Sequence, residues 1–317
     1  MKYIFLFLLV PCITIGQSIG NEVEQLFQKK EYVKAVTILK SHINSNPQDI
    51  EALELLGDAY GHQEKWDDAI TQYKLLVQKD NANANFHYKY GGSLGMKALS
   101  ANKFKALTLI GDIKEEFHAA VNLDPNHIEA RWALVELYMQ LPGIVGGSKK
   151  KSLQFAEELQ VISPVDGYLA KGYIFEYDDK PQLAKKNYIK AIEIGGSLTC
   201  FEKLTNLYKN ENQPQKAIQN IEKARDKFQR NALHYQIGKV SADYNVQLDK
   251  GEKCLKTYIE NYTVKDGVPL QWAYYRLAQI FKHKNDKKSA LIWIDKALAF
   301  NSDFDFALNF RSQVLEM

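Results

Sequence analysis

Cysteine is scarce. Three cysteines, at positions 12, 200 and 254 of 317 residues, are too few for a disulfide scaffold. Eight prolines exclude a collagen-like or proline-rich stalk. An excess of one charge is missing as well. Lys plus Arg number 41 against 38 acids, a net +3, without the basic footprint of a nucleic-acid binder. No apolar run beyond the N-terminus reaches the roughly 20 residues that span a bilayer. No His-Glu-x-x-His occurs, and His42, His62, His87, His118, His127, His234 and His283 are scattered. No metal, cofactor or enzyme activity is therefore expected. What is present is 45% hydrophobic and 25% charged residues, the composition of a folded globular chain rather than a disordered one.

The start reads as an address. Lys2 precedes an apolar run, Tyr3 to Val10, followed by Pro11, Cys12 and small or polar residues to Gln17. A charged start, a short apolar core and a small-residue exit are the parts of a secretory signal. Residues 1–16 are expected to be removed, leaving an exported, periplasmic chain that begins at Gln17. A lipid anchor on Cys12 is the alternative, although Pro11 stands where lipoprotein boxes carry Gly, Ala or Ser.

The rest repeats. Ala35 and Ala69 are 34 residues apart, as are Gly57 and Gly91; Ala184 and Ala217, and Ala191 and Ala224, are 33 apart. Within one unit, Leu53, Leu56, Gly57 and Tyr60 recur at helical spacing, and Ala69, Tyr73 and Leu76 do so in a second helix. Gly57 and Ala69 are small where two helices must approach closely. A lone helix pair cannot bury its apolar stripe, whereas stacked neighbours can.

With this period and these small and aromatic positions, the chain resembles the tetratricopeptide repeat family, whose unit is about 34 residues. The resemblance implies an all-α fold, a right-handed superhelical solenoid of antiparallel helix pairs. About eight units are expected over residues 17–302, followed by a capping helix at 303–317. A segment Pro142-Gly143-Ile144-Val145-Gly146-Gly147-Ser148 is also similar to one in a group of bacterial repeat proteins. That likeness carries no activity.

Transferring the family's groove-lining position from unit to unit gives Glu54, Tyr88, Trp132, Tyr235 and Tyr275, with Tyr173, Tyr177 and Trp272 adjacent. Aromatic anchors of this kind bury large area with few rotamers to freeze. Glu51, Glu54, Asp58, Glu129 and Glu136 make the early groove acidic. Capture of another protein or peptide on the concave face is the implied function. Self-assembly as a homo-oligomer through the convex face or the terminal helices is the alternative.

Two insertions interrupt the period. Ten residues are added between Gly91 and Phe117, around 95–105, and five between Tyr138 and Ala156, at 142–148. The first should lengthen its helices. The second, with Gly143, Gly146, Gly147 and Ser148 leading into Lys149, Lys150 and Lys151, is either a spacer or an anion- or partner-binding platform. Its glycines fall short of a phosphate loop because Ser148 stands where glycine should precede lysine. The two insertions are expected to meet, with amides near Ser148 free for a partner's carboxylate or phosphate.

Overall fold

The structure, a computed structural model, describes residues 19–317. The proposed signal segment and Cys12 lie outside the described residues. Every regular element described is helical, and the described residues divide into two compact units, the second beginning at Lys149.

In the first unit α1 (Ile19–Gln28) pairs with α2 (Tyr32–Ser45), α3 (Ile50–Gly61) with α4 (Trp66–Lys79), and α5 (Ala84–Ser100) with α6 (Lys103–Leu123). α7 (Ile128–Gln140) packs on α6. In the second unit α8 (Lys149–Ile162) lies against α9 (Pro164–Tyr177), which pairs with α10 (Pro181–Ile194). The pairs α11 (Leu198–Asn210) with α12 (Pro214–Phe228), α13 (Ala232–Tyr244) with α14 (Leu248–Glu260), and α15 (Leu270–His283) with α16 (Lys287–Phe300) follow. α17 (Asp305–Leu315) packs on α16.

Turns of two to four residues join the paired helices, which forces each pair antiparallel. Many turns carry one residue in the left-handed region: Lys30, Glu64, Asp179, Asn212 and Asn285 have φ between 52° and 59°. Side-chain caps fix several starts, as where Asp49 accepts from the Ala52 amide at 3.0 Å.

The pairs interlock through a small residue and a ring. A Cβ on Gly57 would stand 2.7 Å from Tyr73, and one on Gly172 would stand 2.2 Å from Tyr188; both pairs are 16 residues apart in sequence. Gly91 meets Phe117 in the same way, with 3.0 Å to the ring, but 26 residues separate them. The difference, 26 − 16, is the ten inserted residues. They enter between two fixed contact points, so the pair grows outward as a hairpin, with 17 residues in α5 and 21 in α6. Ala35, Ala69, Ala184, Ala217 and Ala290 are fully buried at the matching contacts. Cys200 and Cys254 are buried free thiols.

Candidate functional site

The lengthened hairpin creates a groove in the first unit, walled by α3 to α7 and enclosing about 730 Å³. One wall follows from α6, where Ala106, Ile110, Ile113 and Phe117 recur at helical spacing. α7 supplies Ala133, Glu136, Leu137 and Gln140, and α5 supplies Tyr88, Met96 and Leu99. Gly92 and Gly95 also face it, and a Cβ at either would meet nothing within 4 Å. Each costs the helix roughly 0.5–1 kcal/mol relative to alanine, and their missing side chains leave the groove open.

Its polar end is built from the acidic residues expected there, and Lys89 offsets one of the two charges of Glu54 and Asp58. Lys89 Nζ lies 2.8 Å from both Asp58 oxygens and 2.7 Å from Glu54 Oε1. Tyr73 donates to Asp58 at 2.6 Å, and Asn85 donates to Glu54 at 2.8 Å. Burial alone would lower the Lys89 pKa; the Asp58 and Glu54 charges outweigh it and raise it. Burial, reinforced by Asp58, pushes the Tyr73 phenol far above its ordinary value. Tyr88 is also raised, by burial and then by Glu129 and Glu136. The groove therefore offers an apolar trough with an end that stays acidic, suited to side chains of a partner segment. Among the described residues, no group of three His, Cys, Asp or Glu side chains is placed to hold a metal ion. No described helix is long and apolar enough to cross a membrane.

The positions transferred by register fare unevenly. Tyr88 lines the groove, half-buried beside Phe117 and His127 with ring centroids 6.2 and 5.1 Å away. Glu54 touches its polar end through Lys89. Trp132 is half-buried on α7, one residue out of step with the groove-lining Ala133. In the second unit Tyr173 and Tyr177 lie side by side, 6.1 Å apart, with Tyr177 exposed. Tyr235, Trp272 and Tyr275 border a shallow hollow of about 550 Å³ together with Lys239 and Phe306. The expectation of exposed rings needs correction for two of them, since Tyr235 and Tyr275 are buried. Tyr258 covers Tyr235 at 5.4 Å, and Phe304 and Phe310 cover Tyr275 at 5.7 and 5.4 Å. At both positions a neighbouring helix takes the face that register alone leaves open.

The glycine segment is largely self-satisfied. The Val145 and Gly147 amides donate to Pro142 O, Gly146 to Gly143 O, and Ser148 to Tyr138 O at 2.8 Å. This corrects the expectation of amides free for a partner's anion. Gly143 is exposed, whereas a Cβ on Gly147 would stand 1.7 Å from Leu141 O, so that glycine serves close backbone approach. Lys149 pairs with Asp178 and lies over the Phe175 ring; Lys150 and Lys151 are exposed. Lys114, in the later part of α6 and beyond the stretch around 95–105, donates to Val145 O at 2.8 Å. Of the lysines in the first insertion, Lys97 pairs with Asp67 on α4.

Ile110, Ile113, Leu137 and Lys89 were not among the residues singled out from sequence, although the α6 apolar series is readable there.

The tetratricopeptide repeat family's sequence model matches residues 273–304, which cover most of α15 and α16. No curated protein matches the sequence. A tetratricopeptide repeat protein of Parabacteroides merdae is similar at 14% identity and a TM-score of 0.48, over 94% of this chain and 97% of that one. TTC0263, a thermophilic repeat protein of Thermus thermophilus, is similar at 16% identity and a TM-score of 0.50, over 60% of this chain and 97% of its own. The matched repeat and the fold together place this architecture with the tetratricopeptide repeat solenoids.

Proposed function

We propose that this protein is an exported bacterial scaffold of the cell envelope, periplasmic once residues 1–16 are removed. It works without catalysis, capturing an extended segment or a helix of another protein. The observation that carries the reading is the first-unit groove: its volume falls within the range of sites that bury a few side chains. Its apolar walls and acidic end favour a partner segment with aliphatic or aromatic anchors and no acidic residue at that end. Capture from envelope extracts tests it. Wild-type protein should retain a partner that Ile110→Gln loses, with both melting alike. Equal retention by both, or no retained partner, contradicts the groove.

A second reading has one observation behind it. α17 exposes Leu308 and Leu315 on one side, two turns apart, an apolar strip that would suit self-association. Sedimentation velocity on wild type and Leu308→Ser/Leu315→Ser decides it: a dimer that the variant dissolves supports assembly, and a monomer in both removes it.

A further inference from the structure

The α5–α6 hairpin also presents an exposed apolar tip at the rim of the groove, which shares Leu99 with it. Its turn at Ala101 and Asn102 is flanked by Leu99, 75% exposed, and Phe104, 85% exposed. Leu107 follows one helical turn behind Phe104 and is also exposed. On α6 Phe104 stands on the side away from Ala106 and Ile113, which face the groove, and Leu107 lies at the edge between the two sides. Large apolar side chains gathered on a free surface mark an interaction site.

The charges carried by the hairpin tip itself have one sign. Residues 81–111 contain Lys89, Lys97, Lys103 and Lys105 and neither Asp nor Glu. Lys89 is spent on Glu54 and Asp58 in the groove. Asp67 faces the hairpin from α4, where Lys97 holds it; Lys105 adds to the field that keeps its carboxyl below the usual range. Lys103 and Lys105 remain exposed on either side of Phe104.

We propose that the hairpin tip docks on anionic phospholipid surfaces. Phe104 and Leu107 are exposed outside the groove lining, with Lys103 and Lys105 beside them, the pairing of apolar and basic side chains that a lipid interface takes. Phe104 and Leu107 would enter the boundary between headgroups and acyl chains, and Lys103 and Lys105 would meet lipid phosphates. Two apolar side chains give a weak, reversible attachment, which leaves the groove open for its protein partner. The ten inserted residues then act as a reach.

Co-sedimentation with vesicles tests the proposal. Wild-type protein should pellet with vesicles of phosphatidylcholine mixed with phosphatidylglycerol more than with phosphatidylcholine alone, and added salt should weaken this. Phe104→Ser/Leu107→Ser and Lys103→Glu/Lys105→Glu should each lower the apparent affinity by about tenfold or more. Val264→Ser, an exposed apolar residue of the second unit, should change nothing. Ile110→Gln should keep vesicle binding, so that failure of the groove and failure of the tip are told apart. Failure to pellet, or equal pelleting of wild type and both double variants, overturns the proposal. So does a double variant that alters the sedimentation coefficient of the protein alone while vesicle binding stays unchanged, because the tip then joins two copies.

Discussion

The Tyr73 ring occupies the space that a Cβ on Gly57 would need, with Cε1 2.7 Å from that position, and its hydroxyl donates to Asp58 on the following residue. One helix thus presents a notch and, beside it, an acceptor for the ring that fills it. The contact recurs as Gly172 with Tyr188 and, across the insertion, as Gly91 with Phe117.

Gly57→Ala should therefore destabilise the protein by about 1–3 kcal/mol through forced movement of a buried ring. Gly111→Ala should act in the opposite direction. Gly111 lies within α6 with nothing within 4 Å of the added Cβ, and a helical glycine replaced by alanine gains roughly 0.5–1 kcal/mol. Denaturant midpoints of the two variants, on either side of wild type, check both signs.

Lys89→Met should leave Asp58 and Glu54 without their shared cation. A loss of about 1–3 kcal/mol is expected near neutral pH. Because the Lys89 pKa is raised in the folded protein, its stabilisation is complete below the unfolded value and is lost as the pH rises through the folded one, so the deficit should shrink in alkali. Melting curves of wild type and variant at stepped alkaline pH measure the closing gap; a gap independent of pH would assign Lys89 a packing role alone.

Asp49 gives a second pH dependence. The Ala52 amide, and then the His42 ring at 2.7 Å, hold its carboxyl below the ordinary aspartate value. A carboxyl whose pKa is lower in the folded state contributes stability in full above its unfolded value, and loses it as the pH falls through the folded one. Asp49→Ala should cost about 1 kcal/mol at neutral pH, as for loss of a helix cap. Wild type and variant should converge in acid.

Much of the fold was legible because the repeat is written in small residues. Ala35, Ala69, Ala184 and Ala217 keep their period, since bulk at those contacts is excluded in every unit. The insertion between Gly91 and Phe117 was legible for the same reason, as a delay in the next contact. The groove was harder to read. Transfer of one position per unit assumes that every unit leaves the same face open. Tyr258 covers Tyr235, and α17 covers Tyr275. Lys89 meets Asp58 from 31 residues away, a partnership that no local pattern announces. The loop at 142–148 looked like a site because glycine and lysine serve anion binding and tight turns equally well. Only its hydrogen bonds tell the two apart.

The groove can be tested most directly by placing a photo-crosslinking side chain at Met96, which lines it, and separately at Val161, an exposed residue on α8 in the other unit. Crosslinked partners in envelope extracts are then identified by mass spectrometry. The expected result is one recurrent partner segment, rich in aliphatic or aromatic residues, joined at Met96 and absent at Val161, and diminished when Ile110→Gln is added. Equal crosslinking from both positions, or none at Met96, would contradict a groove that captures a partner.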